Sequence, residues 1–289
     1  QLQGFSSTTL AALADTQFAA LSATQIGAFA ASQISGLSAT NLAELSVANL
    51  AALTTGQVRA LSATNLSALA DTQVAAFGAT QVQALTATTL SALADTQLGA
   101  LTSTQIAALT ASQVHALNAT NVAALSETQV AAFTATQVQS LTNTALTALA
   151  DTQVGALTAT QIGALKATQF AALDATDIAQ FSTTQIAALS STQVKTLTST
   201  NVAALTAAQI AALTTGQVQA LAATQLAALD ASQIGDFAAP QIAALTTTQV
   251  RGLTATAVGA LADTQVAAIT TTQVAAFTAT SLAALNETQ

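Results

Sequence analysis

Apolar residues fall on two fixed positions of an eight-residue period that runs through the chain without an insertion. From Phe5 onward every eighth residue is Leu, Phe or Ile, through Ile269, Phe277 and Leu285. Five residues after each comes a second apolar anchor, from Leu10, Phe18 and Ile26 to Val274 and Leu282. With the first anchor as position 1, the consensus octad is Leu-Thr-Ala-Thr-Gln-Val-Ala-Ala. One octad buries only two large side chains, too few to offset the ordering of eight residues at about 1–2 kcal/mol each. Such units fold by stacking on one another, which is the logic of a solenoid.

The polar positions predict the local structure. Position 2 is mostly Ser, Thr, Asn or Asp and position 5 is mostly Gln. Ser/Thr-x-x-Gln is a capping box, and the anchors at positions 1 and 6 are the two ends of a hydrophobic staple. Each octad therefore reads as a helix start followed by Ala-rich helix formers. Where position 2 is alanine and position 3 aspartate, as in the octads starting at Leu13, Leu69, Leu93, Leu149 and Leu261, the cap is expected to slide by one residue. Pro240 falls in a first turn, where its missing N–H is harmless.

One continuous helix is excluded. Eight residues advance an α-helix by two turns and about 80°, so the anchors would spiral over every face. The expected fold is all-α, a superhelix of short capped turns, one per octad. The alternative is a β-solenoid, favoured by Thr and Val at alternating positions.

The departures from consensus carry a second rhythm. Glutamine at position 5 is replaced at Thr9, Asn41, Asn49, Asn65, Thr89, Asn121, Ala145, Asp177, Asn201, Ala257 and Ser281. Acidic residues at positions 2 or 3 occur at Asp15, Asp71, Asp95, Glu127, Asp151, Asp174, Asp230, Asp263 and Glu287. Apart from Asn49, both series step by three, four or seven octads and cover 34 octads in 10 turns, about 3.4 octads or 27 residues per coil. Octads three or four apart should then touch. Asp15, Asp71, Asp95, Glu127, Asp151, Asp263 and Glu287 should form an acidic stripe along one side. Duplication of a 56-residue block, visible in the likeness of the segments starting at 69 and 125, would leave similar spacing.

Composition narrows the function classes. Only 6% of residues are charged, 4 basic against 12 acidic, for a net charge of −8. Such a chain cannot neutralise a row of phosphates, so nucleic acid is a poor partner. Mean hydropathy is positive, but polar residues interrupt every octad and no run approaches the roughly 20 apolar residues of a membrane span. Cys, Met, Trp and Tyr are absent, which suits a long-lived exposed surface. Residues 1–289 read as one continuous octapeptide-repeat solenoid. Gln1 and Gln289 both fall in mid-octad, which reads as an excerpt of a longer array.

Candidate chemistry is sparse. His115 is the only histidine, there is no cysteine, and no hydroxyl has a base placed in sequence to activate it. No enzyme activity, cofactor or metal site is expected. The carboxylates nearest to a hard-cation site are Asp174, Asp177, Asp230 and Asp236, and divalent cations are their candidate ligand. Helix capping accounts for Asp174 and Asp230 more simply. The phenylalanines at position 1, such as Phe29, Phe77 and Phe181, read as core fillers.

Tandem Leu-Thr-x-x-Gln-Ile/Val-x-Ala octads, such as Leu157 to Ala164, resemble arrays in very large bacterial surface or secreted proteins of adhesin-like type. The resemblance covers the whole chain and implies an extracellular or cell-surface setting. It transfers no functional residue, and a haem ligand set is missing. The expected function is a structural repeat that self-associates into a fibre, sheath or stalk, with copies of itself as partner. The alternatives are an ice-binding solenoid using Thr-x-Thr ranks, and a scaffold holding a protein ligand.

Overall fold

The computed structural model describes residues 4–285, apart from the side chains of Ser7 and Asp15. Among these it is all-helical: 35 helices of four to six residues follow one another, α1 (Ser7–Ala11) to α35 (Ala279–Leu282), one per octad. No strand is present among the described residues, which overturns the β-solenoid. The chain divides into two compact units, Gln1–Ala156 and Leu157–Gln289, built on the same octad.

Each octad folds as its polar pattern dictates. Ser22 is extended (φ −72°, ψ 158°), and its Oγ accepts from the Gln25 amide at 3.3 Å. The Ser22 amide donates to Gln25 Oε1 at 2.8 Å, closing the box at the start of α3 (Ala23–Gly27). The helix ends in the right-handed region at Ala28 (φ −83°, ψ −10°). Phe29 N–H then donates to the Ile26 carbonyl at 3.2 Å. The chain turns through the two extended residues at positions 1 and 2. No described residue has a positive φ, so these corners need no left-handed glycine cap. Pro240 sits in the first turn of α30 (Ala239–Ala243) and accepts from Ala244 through its carbonyl.

The expected sliding of the cap does not occur. In α9 (Asp71–Ala75), α12 (Asp95–Gly99) and α33 (Asp263–Val266) the N-cap stays on Ala70, Ala94 and Ala262, which make no side-chain cap bond. Glutamine alone closes these starts, as Gln73 Oε1 does for the Ala70 amide at 2.8 Å. A one-residue slide would rotate the position 6 anchor by about 100° out of the core. The aspartate instead lies in the first turn, where the helix dipole favours it.

Helices three apart in sequence stack along each unit, among them α4 (Ala31–Ser35) on α7 (Thr55–Arg59), α7 on α10 (Ala79–Ala84), and α23 (Thr183–Ala187) on α26 (Ala207–Ala212). Side-chain bonds between stacked layers span 25, 28, 30 and 31 residues, a range that brackets the coil of about 27 residues expected from the sequence.

Both anchors face the interior. Position 1 residues such as Leu85 and Leu213 are 4% exposed, and position 6 residues such as Val82 and Ile210 are 0%. Phe29, Phe77, Phe133, Phe181 and Phe237 are buried, whereas Phe5 is largely exposed. Position 6 points toward the following coil: Val274 and Leu282, on α34 (Thr271–Val274) and α35, have no described helix stacked beyond them and are 49% and 47% exposed.

Candidate functional site: the interlayer clamp and the outer surface

Glutamine at position 5 has two jobs. Its Oε1 closes the capping box, and its Nε2 reaches back one coil. Gln57 Nε2 donates to the carbonyls of Ile26 (3.0 Å), Gly27 (3.4 Å) and Phe29 (2.8 Å). Gln113 repeats this on Val82 (2.9 Å), Gln83 (3.3 Å) and Leu85 (2.8 Å), and Gln217 on Ile186, Ala187 and Leu189 at 2.8, 3.3 and 2.7 Å. The last carbonyls of any helix lack intrahelical donors. One glutamine thus satisfies the N-terminus of its own helix and the C-terminus of a helix in the coil before. This explains how helices of five residues persist, and why Gln57, Gln113 and Gln217 are buried at 2%, 1% and 3% exposure. The Ser/Thr-x-x-Gln spacing predicts only the first job. A signal for the second was present: in five of the 11 replacements the residue is Asn, which keeps an amide.

The charged residues occupy helix ends. Arg59, His115, Lys195 and Arg251 all lie in last turns, and Asp71, Asp95, Glu127, Asp151 and Asp263 in first turns, the placement that helix dipoles favour; Lys166 at an N-cap and Glu44 and Asp236 at C-caps are placed against it. His115 is exposed, yet its Nδ1 lies 2.9 Å from the Ser140 carbonyl in the next coil. It is an interlayer contact rather than a merely solvated side chain.

Within the acidic series, Asp71 and Asp95 are brought together on the stacked helices α9 and α12, and Thr96 Oγ1 donates to Asp71 at 3.0 Å. Glu127 and Asp151 lie on α16 (Glu127–Ala131) and α19 (Asp151–Ala156), which also stack. Asp95, Glu127, Asp151 and Asp263 are exposed and Asp71 is half-buried. Glu287 and the side chain of Asp15 lie outside the described residues.

The cation candidates are engaged locally. Asp174 Oδ1 caps α22 (Ala175–Ala179) by accepting from Thr176 and Asp177 at 2.8 and 3.0 Å, and Asp177 Oδ2 accepts from the Asp174 amide at 3.0 Å. Asp230 caps α29 (Ala231–Gly235) through Gln233 at 2.8 Å, while Asp236 is at the other end of that helix. Among the described residues no group of three His, Cys, Asp or Glu is placed to hold a metal ion. No helix among them is long and apolar enough to cross a membrane.

Position 4 is the most consistently exposed position. It is exposed in all 35 octads and is Thr in 27 and Ser in three. Position 2, by contrast, is Thr in 14 and Ser in eight. Its hydroxyl is consumed by capping, as where Thr134 Oγ1 accepts from Gln137 at 3.2 Å. The two hydroxyls of a Thr-x-Thr segment are therefore not equivalent: one is tied to the backbone and one faces outward.

The ALTTAQ repeat family model matches residues 170–207. Its name corresponds to positions 8 and 1–5 of the octad, the register of Ala244 to Gln249 here. No curated protein matches the chain.

Proposed function

We propose that the protein is a non-enzymatic structural array of a secreted or cell-surface assembly, built by lateral self-association of the octad solenoid into a fibre, sheath or stalk. One observation carries the reading: most buried polar side chains are position 5 residues spent on capping and interlayer bonding, while position 4, exposed in all 35 octads and Thr in 27, repeats a methyl and a hydroxyl along the outside. A cap needs only a hydroxyl, so Ser and Thr interchange at position 2. A packing surface uses the methyl as well, in keeping with the strong excess of Thr at position 4. The scarcity of charge removes most repulsion between copies. The resemblance to arrays of large bacterial surface proteins supports the extracellular setting. Sedimentation velocity across a concentration series, with electron microscopy of the concentrated sample, tests the proposal. Growth into laterally associated species is expected, and a monomer at all concentrations would overturn it.

The outward rank of threonines at position 4 also favours a second reading, ordering of ice-like water. Thermal hysteresis of the purified protein distinguishes it from self-association.

A further inference from the structure

The interlayer glutamines are not spread evenly around the coil. In the first unit they are missing from α5 (Ala39–Ala43), α8 (Ala63–Ser67) and α11 (Ala87–Ser91), which stack in succession, and from α15 (Ala119–Ala123) and α18 (Asn143–Leu146), which stack on each other; Thr9 and Asn49 also replace glutamine, Asn49 on a helix outside this line. Along this line the clamp thins. Asn65, one methylene shorter than Gln, reaches only the Leu37 carbonyl, at 3.1 Å. Thr89 turns its hydroxyl to Thr86 within its own octad, and Ala145 has no donor. The second unit repeats the pattern on α22 and α25 (Ser199–Ala203), where Asn201 reaches Leu173 alone at 3.3 Å, and on α32 (Ala255–Gly259) and α35, which carry Ala257 and Ser281.

Position 6 changes with it. Seven of the 11 octads without glutamine carry Leu there, against four with Leu or Phe among the 24 that have it. Leu42, Leu66, Leu90 and Leu146 are each no more than 1% exposed. Leucine, whose branch lies one carbon further out than that of Val or Ile, goes with the shorter position 5 residue, so directional bonds give way to non-directional packing. Hydrogen bonds to two or three carbonyls hold only within a few tenths of an ångström and a limited range of angles. Apolar contacts tolerate small rotations and shifts at little cost.

We propose that the glutamine-poor line is a compliant seam: neighbouring coils hinge along it while the glutamine-clamped side keeps register, so each unit bends in one preferred direction. The seam is a property of the coil itself and stands whether or not copies associate laterally.

The chain has no cysteine, so paired spin labels can be placed cleanly on the full protein at exposed position 4 residues. One pair, T64C with T144C, lies on seam octads. The other, G56C with T136C, lies on octads clamped by Gln57 and Gln137 and has the same sequence separation. Distance distributions by pulsed electron paramagnetic resonance should be broader for the seam pair. Conversion of seam octads to the consensus (T89Q/L90V, N121Q and A145Q/L146V together) should narrow the seam pair to the width of the clamped pair and leave the latter unchanged. Circular dichroism verifies that the converted protein is folded. Equal widths in the parent protein, or a seam width that conversion does not reduce, would overturn the seam.

Discussion

The side-chain amide of Gln57 donates to the carbonyl of Phe29, 28 residues earlier, at 2.8 Å, while its Oε1 accepts from the amide of Thr54 at 2.6 Å. A single residue thereby fixes both where its own helix begins and where the preceding coil lies. Removing it should cost more than a surface substitution. For Gln113→Ala, which strands the carbonyls of Val82 and Leu85 and one cap amide, a loss of about 1–3 kcal/mol is expected. Gln113→Asn should lose about half as much, because Asn49, Asn65 and Asn201 each retain one interlayer bond. Urea unfolding of the two variants checks the order.

The direction of stacking makes a second prediction. Leu226 is 1% exposed with a coil beyond it, and Leu282 is 47% exposed. Leu226→Ala should destabilise by about 2–5 kcal/mol and Leu282→Ala by less than about 1 kcal/mol. Equal costs, measured by the same unfolding assay, would contradict the assignment of position 6 to the interface with the following coil.

Glycines distinguish crowded from open positions. A Cβ added at Gly259 would meet the Ala284 carbonyl oxygen at 2.9 Å, whereas one at Gly216 meets nothing within 4 Å. Gly259→Ala should lower the melting temperature. Gly216→Ala should raise stability by about 0.5–1 kcal/mol through the unfolded chain and helix propensity.

Ionic strength tests the exposed carboxylates. The exposed carboxylates of Asp95, Glu127, Asp151 and Asp263 repel between copies, with little basic charge to answer them. Screening falls within about 8 Å at physiological ionic strength, so self-association followed by light scattering should strengthen with added sodium chloride. Weakening would point to attractive charge pairs between copies instead.

Much of the architecture was legible in the octad itself. The Ser22 to Gln25 spacing announced the capping box, and the positions of Asn65, Thr89 and Asp95 gave the coil length before any contact was known. The cap at Asp71 does not slide as local capping preference alone predicts, because Val74 and Gln73 are both held by neighbouring coils. The interlayer bond of Gln57 was hidden for a related reason: closing its own cap already gave glutamine a sufficient local explanation. The stacking of Asp71 with Asp95 followed from the period, but the bond from Thr96 depends on side-chain reach and leaves no trace in the spacing.

The most direct test of the coil is a nuclear Overhauser experiment on protein labelled with ¹⁵N in glutamine side chains. The account predicts that glutamine Nε2 protons lie close to the anchors 28 and 31 residues earlier, as Gln113 does to Leu85 and Val82, and that they exchange slowly with solvent. Contacts confined to each glutamine's own octad, with rapid exchange, would contradict it.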